Sequence, residues 1–177
     1  PKGGGELNGV VPNEQLPPDM RLGVAATPEE AAAKTTYLLD HGADFIKAIA
    51  TGAVLAIGTE PGAPELTVDQ LRAIVRVAHA RGKRVTAHAH GAIGIQNAIN
   101  AGVDSIEHAS LADEATLQLA KKHGTWLAMD IYNGDYIEDI GTKEGWPAEY
   151  LRKNRETTDT QRAAFRRAVE LGINIGY

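Results

Sequence analysis

The 177-residue chain contains no cysteine, which excludes disulfide bridges and thiolate metal ligands and leaves the redox compartment open. It has no excess of positive charge either. Eighteen Lys and Arg stand against 23 Asp and Glu, for a formal net charge of −5. No stretch interleaves basic with aromatic residues, so nucleic acid is not an expected partner. No apolar run approaches the roughly 18 residues needed to span a membrane. A phosphate loop of the form GxGxxG is missing, and Gly91-Ala92-Ile93-Gly94 is too short to replace it. An initiator Met is missing as well: the chain opens on Pro1 and stops at Tyr177 inside a strand-like run. Both ends are therefore expected to be internal to a longer protein, and the lack of a leader carries no weight. What is present is the composition of a folded globular domain, with 43% hydrophobic and 23% charged residues and a length that suits one well-cored domain.

Residues 1–26, with Gly3-Gly4-Gly5, Pro12 and Pro17-Pro18, read as a loop-rich segment. From Thr27 one pattern repeats. Thr27-Pro28-Glu29-Glu30 is a capping box with proline at the first helical position, Gly42 closes the helix, and the apolar "DFIKAIAT" follows. Thr67 and Gln70 cap a helix whose buried face is Leu71, Ile74, Val75 and Ala78; Gly82 ends it and "RVTAHAH" follows. A helix over 92–101 precedes Gly102 and "VDSIEHA". A helix capped by Asp113 precedes Gly124 and "TWLAMD", and one expected to start at Thr158 and Gln161 precedes Gly172 and "INIGY". Five helix–glycine–strand units predict parallel strands joined by crossover helices, either an open doubly wound sheet or a barrel. With no phosphate loop, and with unusual polar residues at the C-terminal strand ends, the barrel reading prevails. The fold class predicted over 27–177 is α/β, a partial TIM-type (β/α) barrel of about five parallel strands alternating with helices.

Four residues at those strand ends carry chemistry. Lys47 lies in Phe45-Ile46-Lys47-Ala48-Ile49, whose apolar neighbours predict burial. It reads as a lysine reaching from a strand end to solvent, as a Schiff-base amine, or as a neutral amine that becomes a carbamate. His88 and His90 share a strand face because side chains at i and i+2 point the same way. Alternation places His108 with Ile106, opposite Ser105, Glu107 and Ala109. Alone it would read as structural, but with Lys47 and His88 on the preceding strands it suits a divalent-metal site. His41, His79 and His123, near helix C-termini, read as capping or surface residues. Residues 133–157 read as a long polar connection, either a lid or an insertion without function.

The stretches "ADFIKAIATGAV", "GAPELTVDQLRAIVRVAHARGKRVTAHAHG" and "AINAGVDSIEHAS" resemble the metal-dependent amidohydrolase superfamily, in its imidazolonepropionase-like and Xaa-Pro (prolidase-like) dipeptidase branch, over residues 28–177. The resemblance implies two divalent ions, zinc in the first instance, held by a carboxylated Lys47, His88 and His108. His90, Asp130 and Tyr132 would face the substrate, a small amide or dipeptide hydrolysed by metal-activated water. The first-strand His-x-His pair of that family has no counterpart here. The strand beginning at "LGINIGY" stops before the family's catalytic aspartate, which would lie past Tyr177. The isolated 177 residues are therefore expected to be inactive, with no catalytic base of their own, and to form a homo-oligomer or associate with the rest of a barrel. Two other readings stand beside this one: a Schiff-base lyase using Lys47, and a non-catalytic barrel fragment acting as a scaffold.

Overall fold

The computed structural model describes residues 22–176. The start of the loop-rich segment (1–21) and Tyr177 lie outside the described residues, while 22–26 are irregular and lead directly into the first helix. In chain order the elements are α1 (Pro28–Asp40), β1 (Ile46–Ile49), α2 (Val68–Ala80), β2 (Val85–Gly91), α3 (Ala92–Ala101), β3 (Ser105–Leu111), α4 (Glu114–His123), β4 (Trp126–Ala128), α5 (Asn133–Glu144), α6 (Ala148–Leu171) and β5 (Ile175–Gly176). The five strands are all parallel and lie side by side in sequence order. Thus the α/β class, with five parallel strands alternating with helices, is as the sequence predicts.

Local chemistry accounts for most boundaries. Thr67 and Gln70 form a complete capping box at the start of α2. At α1, Thr27 accepts from the Glu30 amide, and the Glu30 carboxylate reaches back to the Ala26 amide at 2.7 Å. Asp113 accepts from the Thr116 amide at 2.8 Å to start α4. The apolar face of the sheet, with Ile46, Ala48, Ala87, Ala89, Ile106 and Leu127, is buried in one core with residues of α2, α3, α4 and α6.

Three expectations change. The last helix begins not at Thr158 but at Ala148, directly after Pro147, and Thr158 and Gln161 sit inside it. The span 148–171 contains neither proline nor glycine, and pairs such as Arg152–Glu156 at 2.7 Å support the helix along its surface. Here the Thr-x-x-Gln spacing belongs to a helix interior, where Thr157 and Thr158 bond back to the Lys153 and Asn154 carbonyls. The "connection" at 133–157 is mostly helical, made of α5 and the first turns of α6. Finally, Lys47 is exposed rather than buried. It lies on the face turned away from the helices. Among the described residues β1 and β5 are the two edges of the sheet and do not pair with each other, so the five described strands do not enclose that face.

Candidate metal centre

β2 is buried along its whole length, and His88 and His90 point to the face opposite the helix-packed Ala87 and Ala89. His108 reaches the same place by a different route. In β3, Ile106 faces the helices and Glu107 meets the Thr86 hydroxyl on the other side of the sheet, so simple alternation would send His108 back toward the helices. Instead His108 and Ala109 both take positive φ, 74° and 50°, and the β2–β3 register shifts between Ala89 and Gly91. The alternation expected from the sequence therefore fails at His108, and two left-handed non-glycine residues, each costing roughly 1–2 kcal/mol, swing its ring to the histidine side.

The three imidazoles converge. Ring centroids are 4.7 Å apart for His88–His90, 4.7 Å for His88–His108 and 4.6 Å for His90–His108, the last pair stacked. One nitrogen from each ring lies within 4.8 Å of the others, and no other such cluster occurs among the described residues. Their hydrogen bonds set which nitrogens remain available. His88 donates through Nε2 to the Gly52 carbonyl at 3.2 Å, which leaves Nδ1 with its lone pair. His108 donates through Nδ1 to Asp130 Oδ1 at 2.9 Å, which leaves Nε2. His90 meets Ser110 Oγ through Nδ1 at 2.8 Å, and its backbone amide donates to Thr51 Oγ1 at 3.0 Å.

Electrostatics keep this cluster ready for a cation. Burial, reinforced by the neighbouring His108 and Lys47 and opposed by the bond to Gly52, pushes His88 down to about 4. Burial, with His108 and His88 beside it, also holds His90 well below the ordinary histidine range. Burial alone would raise the Asp130 carboxyl, but the hydrogen bond and charge of His108 and the amide of Gln161 outweigh it and hold the group well below the usual carboxylate range. The neutral rings of His88 and His90, with the His108 imidazole beside the ionised Asp130 carboxylate, form a donor set that fits a divalent ion of the zinc type.

The structure thus brings together His88, His90, His108 and Asp130. Lys47 shares their face, one turn of the pleat below the Ile49–His88 pair, and does not line the cavity beside the rings. Tyr132 is 68% exposed where the chain turns into α5, and it does not line the cavity beside the histidines. That cavity, about 100 Å³, is bordered by the three rings, Asp130 and Gln161, with Val54 and Leu55 as an apolar wall. Ser110, Asn133 and Gln161 were not legible as site residues. Ser110 lies at the register shift between β2 and β3, which the sequence does not signal, and Gln161 was concealed by its resemblance to a cap.

The imidazole cluster lies at the C-terminal ends of the parallel strands, the end at which (β/α) barrels carry their functional sites. The amidohydrolase family profile matches residues 12–177, and the chain belongs to the amidohydrolase family. It is 31% identical over 159 residues to the ochratoxinase of Aspergillus niger, covering 87% of this chain and 32% of that protein. Among solved structures it is similar to a Xaa-Pro dipeptidase with methionine bound in the active site, with a TM-score of 0.85 and 31% identity over 98% of this chain and 44% of that one. It is also similar to a prolidase complexed with N-methylphosphonate-L-proline, with a TM-score of 0.83 and 28% identity over 87% of this chain and 38% of that one. The chain thus spans about a third of the ochratoxinase and less than half of the two peptidases.

Proposed function

We propose that this chain supplies part of the active site of a divalent-metal hydrolase that cleaves amide C–N bonds in small substrates, dipeptides with a C-terminal imino acid foremost. The observation that carries the reading is the convergence of His88, His90 and His108 with one nitrogen each within 4.8 Å. In this reading His88 Nδ1 and His108 Nε2 hold the metal. Asp130 keeps His108 in the tautomer that leaves Nε2 free, as a carboxylate partner does for a ligating histidine. Lys47 takes up carbon dioxide: its neutral amine nitrogen forms the new N–C bond and releases one proton, and the anionic carbamate replaces an ammonium that would repel a cation. Bound divalent ions, zinc being the favoured pair, supply Lewis acidity toward the scissile carbonyl and acidify water. His90, held by Ser110, stands on the substrate side and can donate toward the carbonyl oxygen. Val54 and Leu55 exclude water from one wall of the cavity.

The substrate class draws support from the relatives. One is a Xaa-Pro dipeptidase, and another holds a tetrahedral phosphonate on a proline nitrogen, an arrangement shaped like the water adduct of an Xaa-Pro amide. The test is to assay the full-length protein that carries this chain against Xaa-Pro dipeptides and N-acyl amino acids, before and after chelation. Hydrolysis that is lost with chelator and restored by zinc is expected. Turnover indifferent to chelation, with a borohydride-trapped adduct on Lys47, would instead establish a Schiff-base lyase.

A further inference from the structure

We propose that Gln161 is a positioning residue that locks His108 from both its backbone and its ring; the inference rests on the metal-centre reading only for its consequence for zinc. His108 occupies a left-handed conformation that the β3 ladder does not provide, so something outside the sheet must hold it there. The side chain that reaches it comes from α6. Gln161 Nε2 donates to the His108 carbonyl at 3.2 Å and to Asp130 Oδ1 at 2.9 Å. One amide group therefore ties down the strained peptide and also the carboxylate that receives the His108 Nδ1 proton at 2.9 Å. Asn133 donates to the other Asp130 oxygen, so the carboxylate is held between two amides and one imidazole. Gln161 is buried, and glutamine suits the position because its terminal nitrogen carries two protons for two acceptors. Isosteric methionine offers none. Without Gln161 the His108 peptide would relax toward ordinary strand geometry and withdraw Nε2 from His88 and His90.

The test uses the protein labelled with ¹⁵N in its histidines and glutamines, with the His108 signal assigned by His108→Gln. In the wild type, the His108 Nδ1–H and the Gln161 side-chain amide protons should exchange slowly with solvent. In Gln161→Met, or Gln161→Ala if that variant does not fold, the His108 Nδ1–H signal should broaden or vanish, and zinc affinity should fall about 10–100-fold. A merely structural role would lower the melting temperature and leave the imidazole signal in place. An unchanged His108 signal in the variant overturns the proposal, and so does solvent-rate exchange of the Gln161 amide in the wild type, which requires no variant to fold. If the wild type binds no zinc while the His108 signal still responds to Gln161, the metal reading fails and the positioning role stands.

Discussion

Single side chains decide the charge state of this site, and the clearest is His88. An unfolded chain would protonate this ring near pH 6.5, whereas burial in the native structure postpones protonation to about pH 4. Above 6.5 the ring is neutral in both states and its contribution is complete. As the pH falls from 6.5 to about 4, only the unfolded chain takes up the proton, so native stability declines, by roughly 3 kcal/mol across the window for this one group. His90 acts in the same direction. Urea unfolding of the metal-free protein at pH 7.5, 6.5 and 5.5 should therefore show falling stability before the carboxylates titrate, and a flat profile would refute burial of these rings. At this scale the sequence was partly legible. The shared face of His88 and His90 follows from the period of a strand. The placement of His108 does not, because two consecutive left-handed residues and a register shift are set by contacts 22 and 53 residues further along the chain, at Asp130 and Gln161.

Among the elements, the segment between β1 and α2 is the one whose position the histidines depend on. It begins at Thr51 and Gly52, which bond the His90 amide and the His88 ring, and it passes so close to β2 that Gly62 lies against Gly91 with no room for a Cβ. Its outer part is fastened to α6. Lys153, fully buried, donates to the Ala56 carbonyl at 2.6 Å and pairs with Glu149 at 2.6 Å, and Glu149 accepts from the Gly58 amide at 3.1 Å. Lys153→Met preserves the length of the side chain but leaves the Ala56 carbonyl without this donor and Glu149 without its cation. A loss of roughly 2–3 kcal/mol is expected, at or below the lower end for breaking a buried pair because Glu149 keeps some contact with water. Hydrogen exchange should quicken across 53–60 while β2 stays protected. A change within about 0.5 kcal/mol would show that the clamp does not hold the segment. Most elements were legible because caps and closing glycines act locally: Thr67 with Gln70, Asp113, and the left-handed Gly102, Gly124 and Gly172 all work as their sequence suggests. The length of α6 was not, since a Thr-x-x-Gln spacing reads the same at a helix start as inside a helix that has acquired tertiary partners.

For the whole molecule, five strands in sequence order place every candidate ligand on one side of one sheet, with the apolar faces of α2, α3 and α4 packed on the other, while α5 and part of α6 border the histidines. The cost of this division is visible in Phe45 and Trp126, 56% and 49% exposed, and in the exposed Lys47. The order of the strands could be read from the repeated units, because parallel neighbours joined by helices follow from them. The exposure of Lys47 could not, because it depends on what lies across the sheet rather than on Lys47 and its neighbours. The metal centre on this sheet is read out by zinc affinity, measured by chelator competition. The measurement compares the full-length protein that carries this chain with its His88→Ala, His108→Ala and His90→Ala variants. The wild type should bind zinc, and His88→Ala and His108→Ala should each weaken binding by more than the roughly 10–100-fold seen on losing a partner that only orients a ligand. His90→Ala should keep its zinc and lose turnover. A wild type that binds no zinc, or three variants that all bind it as the wild type does, would show that these histidines do not form a metal centre.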